Sequence, residues 1–232
     1  MNESFYNVTV EEAVRLLKSD FQRGLSGEEA KNRLIEYGSN QLQEKKVISP
    51  FSIFLGQFKD FIIWVLIGAA FVSGFLQEWV DAFAIIAIVI LNAIMGFIQE
   101  YRAEKSLAAL RKLSNPASKV IRDGAHKVIP SVELVPGDVV EIEAGDSVPA
   151  DSRLLWTSAN FGVQEASLTG ESTPVSKTIR ALEEKDIPLA DRANMVYMGT
   201  SVASGKAKAL IVYTGMNTEL GKIAGMVQAI VQ

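Results

Sequence analysis

Two long apolar blocks stand out from the otherwise mixed sequence. Residues 61–76 read FIIWVLIGAAFVSGFL and residues 79–98 read WVDAFAIIAIVILNAIMGFI. The second block has about the 20 residues that a bilayer-spanning helix needs, and the upstream FSIFLGQF extends the first. Gln77 and Glu78 alone separate the two blocks. The pattern predicts a transmembrane helical hairpin with spans at 51–76 and 79–98.

The basic residues around the hairpin indicate its orientation. None lies in the link between the blocks, and they flank the hairpin on both outer sides: Lys45, Lys46, Lys59, Arg102, Lys105, Arg111 and Lys112. Basic residues concentrate on the cytoplasmic side of membrane proteins. The sequence therefore predicts a multi-pass integral membrane protein with both termini of this chain in the cytoplasm. A buried hairpin in a soluble protein is the alternative, and two such long apolar runs side by side disfavour it.

The first 50 residues have the pattern of a small helical segment. Capping-box sequences at Thr9–Glu12 and Ser26–Glu29 each precede an amphipathic run, and Gly38 is a helix stop. Directly after the second apolar block, residues 99–116 carry Leu107, Leu110 and Leu113 near helical spacing, with charged residues between and before them. We expect this stretch to continue the second span as a stalk helix.

Residues 117–216 have the short alternating runs of a β-rich domain. Asp123-Gly124 lies between two β-branched runs, which is a strong β-hairpin signal. Residues 217–232 then predict a helix capped by Asn217 or Thr218. The fold class predicted is an α+β membrane protein, in which a transmembrane helical hairpin is joined to a cytoplasmic β-rich domain and a small helical N-terminal segment.

Composition excludes several kinds of chemistry. The net charge of −4 argues against a nucleic-acid partner, and the absence of Cys excludes disulfides and thiolate metal sites. The single histidine, His126, follows a predicted hairpin turn and receives no functional role. GTSVASGKA has five residues between its glycines and Ala207 after Lys206, so it fails the phosphate-loop pattern and predicts a turn between strands. We predict no metal-binding or cofactor-binding residues in this chain.

One polar loop contains an unexpected carboxylate. Residues 165–177 read EASLTGESTPVSK, with Glu171 between Gly170 and Ser172. A turn requires the glycine and accepts hydroxyl side chains, but it does not require a glutamate. Glu171 is either a solvated loop charge or a catalytic carboxylate on a loop that reaches another domain.

Four segments in order resemble the P-type ion-pumping ATPases. LTGES at 168–172, followed by PVSK, resembles the loop of their actuator domain, and residues 136–155 are similar to the segment that precedes it. Residues 25–42 are similar to the N-terminal segment of the cation-pumping branch. QFKDFIIWVL and LNAIMGFIQEYRAEKSLAAL in the two apolar blocks resemble the calcium pumps.

The resemblance implies a mechanism for the loop. In these pumps ATP phosphorylates an aspartate in a separate domain, and the actuator domain rotates to bring its TGES loop to the aspartyl phosphate. Glu171 would then orient and activate the hydrolytic water, and Gly170 would let the backbone approach the phosphate. The hydroxyls of Thr169 and Ser172 would either bind nearby groups or shape the turn. These four residues are the catalytic candidates.

The resemblance also implies partners outside the chain. The Asp-Lys-Thr-Gly-Thr phosphorylation sequence of the family is absent, so we expect the N-terminal third or less of a pump, inactive by itself. Its partners would be the lipid bilayer, the phosphorylation and nucleotide-binding domains, the later transmembrane helices and a transported cation, with calcium favoured. ATP and Mg²⁺ are implied for the full-length pump only.

Several positions depart from the calcium-pump pattern or stay open. Gln164 stands where these pumps commonly have Asp before the loop, and Lys59 stands where they often have an acid. Asp60, near the start of the first span, is a candidate for the ion entry path. Two other functions remain as alternatives: a stand-alone membrane-anchored β-domain that acts by binding, and an independent hydrolase that uses Glu171.

Overall fold

The computed structural model describes residues 4–42, 49–113, 116–171, 173–184 and 186–230, with the backbone alone for 107–113 and 230. These residues form two compact units. The β-rich unit combines Met1–Gln43 with Asn115–Gln232, and the helical unit is Glu44–Ser114.

Among the described residues, the α-helices are Val10–Leu16 (α1), Gly27–Tyr37 (α2), Pro50–Gly56 (α3), Phe61–Phe75 (α4), Trp79–Leu113 (α5), Ala166–Thr169 (α6) and Glu219–Ile230 (α7). The described strands all belong to the β-rich unit: Ala117–Arg122 (β1), Ala125–Pro130 (β2), Val139–Glu143 (β3), Asp151–Thr157 (β4), Gly162–Gln164 (β5), Val175–Ser176 (β6), Met195–Val196 (β7), Ser201–Ser204 (β8) and Lys206–Tyr213 (β9).

The strands form two antiparallel sheets. The larger has six strands in the order β2-β1-β3-β9-β4-β7, and the smaller has three in the order β6-β5-β8. The predicted β1–β2 hairpin is confirmed, with Arg122 opposite Ala125. Asp123 and Gly124 both have positive φ, +57° and +75°, as a two-residue type I′ turn requires. The predicted turn at Gly205 is also confirmed, and there the chain passes from the smaller sheet to the larger.

The central strands of the six-stranded sheet are buried on both faces, whereas β2 at its edge is mostly exposed. One face packs against the three-stranded sheet through residues such as Val120, Val140 and Leu154. Their sequence neighbours point to the opposite face because side chains alternate along a strand, and there Ile121 and Leu155 pack against the N-terminal segment. This double burial explains the unbroken apolar run at 209–212 in β9.

The N-terminal segment covers the second face of the sheet. As the capping patterns predict, the side chains of Thr9 and Ser26 accept hydrogen bonds from Glu12 N and Glu29 N. The second face is contacted by Phe5, Tyr6 and Ala13, all buried. The segment is therefore part of the core of the β-rich unit.

Arg153 on β4 links this segment to the sheet. Its side chain is fully buried and donates to Phe5 O at 3.0 Å, Val8 O at 3.1 Å and Ile179 O at 2.8 Å. A further bond of 2.7 Å reaches Leu154 O. Burial lowers the pKa of Arg153 to about 10, which leaves the guanidinium charged near neutral pH.

Helix α7 begins where two buried side chains bind its first amides. The Thr218 hydroxyl accepts from Gly221 N at 3.0 Å, which settles the predicted cap in favour of Thr218 over Asn217. The Asp151 carboxylate accepts from Met198 N at 2.9 Å and Glu219 N at 2.7 Å. Burial raises the pKa of Asp151 to about 6, although both hydrogen bonds favour its charged form.

The helical unit departs from the sequence prediction in its first helix. Residues 51–76 form α3 and α4, and the axes of Pro50–Lys59 and Phe61–Phe75 meet at 67°. Asp60 interrupts the run because its backbone is extended and its side chain accepts from Ile62 N at 3.1 Å, which caps α4. The candidate for the ion entry path is thus a helix cap in the structure.

The second predicted span and residues 99–113 of the predicted stalk form one continuous helix. α5 runs from Trp79 to Leu113 and follows the tight turn at Gln77, where φ is +65°. Its part Trp79–Ser106 is long and apolar enough to cross a membrane. The bent pair of Pro50–Lys59 and Phe61–Phe75 meets the same criterion only when the two helices are taken as one span.

We predict that Arg153→Met lowers the free energy of unfolding of the β-rich unit by about 3 kcal/mol or more, because it leaves buried carbonyls without donors, at roughly 1–3 kcal/mol each. Arg153→Lys keeps the charge but not the planar set of donors, so its loss should be intermediate. Denaturant unfolding of the chain in detergent measures both. The control is Arg180→Met at an exposed position, expected to change stability by less than about 0.5 kcal/mol. Wild-type stability of Arg153→Met would contradict the role assigned to this side chain.

Candidate functional site

The 165–177 segment leaves and re-enters the smaller sheet. β5 precedes it and β6 lies near its end, and the two strands pair with Gly162 opposite Ser176 and Val163 opposite Val175. β5 also pairs with β8 on its other side, so it is the central strand of this sheet. The polar loop is therefore a connection between paired strands, which fixes both of its ends.

A single helical turn forms the first half of the loop. The Glu165 carbonyl accepts from Leu168 N at 2.9 Å and Thr169 N at 3.0 Å, and Gly170 N donates to Ala166 O at 3.0 Å. Gly170 ends the turn in the left-handed conformation with φ +78°. A Cβ at Gly170 would have no neighbour within 4 Å. The glycine is needed for its backbone angle, and the space around it is open.

The Thr169 hydroxyl belongs to this turn. It donates to Glu165 O at 3.1 Å and accepts from Glu171 N at 3.3 Å. Of the two roles left open for Thr169, these contacts favour the one that shapes the turn. Ser167 makes a further link, because its hydroxyl donates to Gly199 O at 3.1 Å and so ties the turn to the segment before β8.

Glu171 directly follows the turn and is exposed. The structure thus brings three predicted site residues, Thr169, Gly170 and Glu171, onto one short piece of backbone. The fourth, Ser172, lies outside the described residues. A carboxylate in this position is accessible to a group presented by another domain, and its backbone is held by the Thr169 hydroxyl.

A buried ion pair lies at the base of the loop. Lys177 Nζ is 2.6 Å from Glu165 Oε1, and the two side chains are 0% and 1% exposed. Burial raises the pKa of the Glu165 carboxyl and lowers that of the Lys177 ammonium, while the charge of each partner opposes these shifts. Among the described residues, neither Lys177 Nζ nor either Glu165 oxygen has a hydrogen-bond partner beyond this contact.

This pair was not predicted from the sequence, although both residues belong to the 165–177 segment. The one sequence feature that could have indicated it is the opposite charge of the first and last residues of this segment. They lie twelve positions apart, with a helical turn and a loop between them, so no local periodicity relates them and their contact follows from tertiary structure.

We predict that Gly170→Ala lowers the free energy of unfolding by about 1–2 kcal/mol, since an L-residue is strained in the left-handed region. It should also speed cleavage after Glu171 by a glutamate-specific protease, because the turn unwinds to relieve the strain. Gly145→Ala is a matched control with φ +95° and no neighbour within 4 Å. The control should lose similar stability without faster cleavage after Glu171. Unchanged stability and cleavage in Gly170→Ala would contradict the assigned backbone strain.

Two family models match the chain. The model described as P-type ATPase actuator domain matches residues 112–228. The model described as cation transporter/ATPase, N-terminus, matches residues 5–73. The first match contains the loop and both sheets, and the second contains the helical N-terminal segment and α4 to within its last residues.

Full-length relatives are similar along nearly the whole chain. A calcium-transporting ATPase of Bacillus subtilis is 45% identical over 97% of this chain and 25% of its own length. A probable cation-transporting ATPase F of Mycobacterium tuberculosis is 45% identical over 97% of this chain and 24% of its own length. A sodium/potassium exporting P-type ATPase of Schizosaccharomyces pombe is 45% identical over 87% of this chain and 20% of its own length.

The chain spans about a quarter of the length of the curated relatives it matches. Its match to the actuator-domain model covers half of its residues and includes the loop that carries Glu171. The N-terminal match adds the segment that packs on the second face of the sheet. This chain therefore belongs to the P-type ATPases and carries the N-terminal region of their cation transporters together with the actuator domain.

Proposed function

We propose that this chain is the N-terminal part of an ATP-driven cation pump, in which Glu171 promotes hydrolysis of an aspartyl phosphate on another domain. The observation that carries the proposal is the presentation of Glu171, exposed directly after a turn whose backbone is fixed by hydrogen bonds. The match to the actuator-domain model over the same residues also supports the proposal.

The chemistry assigned to Glu171 is that of a general base. Its carboxylate accepts a proton from water and fixes the direction from which the water attacks phosphorus. Gly170 has no side chain, and the space where its Cβ would lie is open to 4 Å, so a phosphate group can approach the backbone closely there. Thr169 keeps the Glu171 backbone in place through its hydroxyl.

The phosphorylated aspartate, ATP and Mg²⁺ belong, in this proposal, to domains outside the chain. ATP would supply the phosphoryl group there, and Mg²⁺ would neutralise part of the phosphate charge. The chain by itself would neither bind nucleotide nor become phosphorylated.

Calcium is the cation we propose. The apolar blocks resemble those of calcium pumps, and the relatives from Bacillus subtilis and Lactococcus lactis are named calcium-transporting ATPases. A relative named for sodium and potassium export has the same 45% identity as the Bacillus subtilis protein. Sequence identity to these relatives therefore does not distinguish calcium from sodium or potassium. The proposal of calcium rests on the resemblance of the two apolar blocks to those of calcium pumps.

We further propose that the helical unit crosses the membrane twice and leaves both outer ends in the cytoplasm. Most apolar side chains of α4 and α5 point outward, where lipid or other helices would cover them. The buried side chains of α4 and α5 are small or aliphatic, including Ile63, Ala70, Ala82 and Ala93. The basic residues at both outer ends support the orientation.

We expect Glu171→Gln to slow phosphoenzyme decay in the full-length pump about 100-fold or more, the range of general-base effects, without slowing phosphoenzyme formation. The amide keeps the shape of the side chain but cannot accept the proton. A chase with unlabelled ATP after phosphorylation with radioactive ATP measures the decay. Glu183→Gln, at another exposed position of the same unit, is the matched control and should decay like wild type. Wild-type decay in Glu171→Gln would refute the role of Glu171.

The orientation can be tested with cysteine labelling, because the chain contains no native Cys. In cells that express the pump in their surface membrane, a membrane-impermeant maleimide applied to the sealed cells should label Glu78→Cys, because a link between α4 and α5 on the non-cytoplasmic side then faces the outside. His126→Cys, 66% exposed in the β-rich unit, should react only after the cells are opened. Labelling of both variants in sealed cells, or of neither, would contradict the proposed topology.

A further inference from the structure

The Glu165–Lys177 pair closes the loop at its two ends. Glu165 follows β5 directly, and Lys177 follows β6 directly. The loop that carries Glu171 lies between them, and Nζ and Oε1 are 2.6 Å apart with both side chains buried. The main chain of Lys177 is also anchored, because its N–H donates to Phe161 O at 3.2 Å.

Stability alone does not account for such a pair. Removing two charges from water is expensive, and apolar residues of similar volume often give equal or greater stability. The buried atoms of this pair have no additional hydrogen bonds among the described residues, so their desolvation is offset only by their mutual attraction. A buried ion pair does fix geometry, because each charge is strongly destabilised when its partner moves away.

Three consecutive contacts connect the pair to Glu171. Lys177 Nζ holds the Glu165 carboxylate. The carbonyl of the same Glu165 accepts from the Thr169 hydroxyl at 3.1 Å. That hydroxyl accepts from Glu171 N at 3.3 Å. A displacement of Glu165 would therefore be transmitted to the backbone of Glu171.

We propose that Glu165 and Lys177 are positioning residues, which hold the 165–177 segment so that Glu171 reaches the acyl phosphate in the correct geometry. This inference rests on the proposed role of Glu171 in dephosphorylation. Neither residue would touch the phosphate or the water. Their effect would be on the rate at which a correctly phosphorylated pump loses its phosphate.

The test uses the full-length pump with Glu165→Gln, Lys177→Met and the double variant. Each single variant should slow phosphoenzyme decay by about 10-fold or more, since small misplacements of a catalytic group have effects of that size. The amount of phosphoenzyme formed per folded pump should stay unchanged. The double variant should be no slower than the worse single variant, because both single changes break the same contact.

A second readout reports the loop without any activity. Cleavage after Glu171 by a glutamate-specific protease should be faster in both single variants than in wild type. Lys206→Met is the matched control, because Lys206 is 71% exposed and lies 2.8 Å from Glu143 in a surface pair. It should change neither decay nor cleavage. Glu165→Asp keeps the charge on a shorter side chain and should give intermediate decay, which provides a test if Lys177→Met does not fold.

The outcomes distinguish the positioning role of Glu165 and Lys177 from the role of Glu171 in dephosphorylation. Slow decay in Glu171→Gln combined with wild-type decay in Glu165→Gln and Glu165→Asp would overturn the positioning role alone. Unchanged cleavage after Glu171 would overturn it as well, because the pair would then not hold the loop. Wild-type decay in Glu171→Gln would refute the role of Glu171, and the positioning role would fall with it.

Discussion

The buried guanidinium of Arg153 holds together parts of the chain that are far apart in sequence. It donates to main-chain carbonyls of the N-terminal segment, of β4 and of Ile179. Ile179 lies two residues after Lys177, the last residue of the 165–177 segment. Asn194 complements it, because its amide donates to Tyr6 O and to Arg180 O, both at 2.8 Å. The second face of the sheet, the N-terminal segment and the chain leaving the loop are therefore fixed by one polar network.

This network has consequences for the loop. The chain after Lys177 is fixed at Ile179 and Arg180, so Lys177 enters the core from a defined position. There it meets Glu165, whose carbonyl also starts the turn that ends at Gly170. The exposed Glu171 is thus supported by a rigid scaffold through a short series of contacts. Catalytic groups on loops depend on such a scaffold for their placement.

Local patterns in the sequence predicted much of the fold. The Asp123-Gly124 hairpin, the caps at Thr9 and Ser26 and the turn at Gly205 depend on neighbouring residues, and all four occur as predicted. Arg153 and the Glu165–Lys177 pair were not predictable in this way, because their partners are distant in sequence and no periodicity marks them. The break at Asp60 was missed for a related reason, since apolar content on both sides hid a helix cap.

The sequence predicted which residues form the candidate site, but not how each of them is placed. The motif indicated Thr169, Gly170 and Glu171, which the structure places at the end of one turn and directly after it, while the division of roles between them required the geometry. The Thr169 hydroxyl is engaged within the turn, and the carboxylate of Glu171 is presented to solvent. Only the tertiary structure shows that the residues at the two ends of the same motif are buried together.

The central claim is that this loop delivers Glu171 to a phosphoryl group carried by another domain. A structure of the full-length pump with a metal-fluoride phosphate analogue bound at the aspartate that ATP phosphorylates tests this directly. Our account predicts the Glu171 carboxylate at roughly 2.6–3.2 Å from the attacking water or its fluoride equivalent. A structure in which the analogue is bound and Glu171 remains in bulk solvent, beyond the reach of one bridging water, would contradict it.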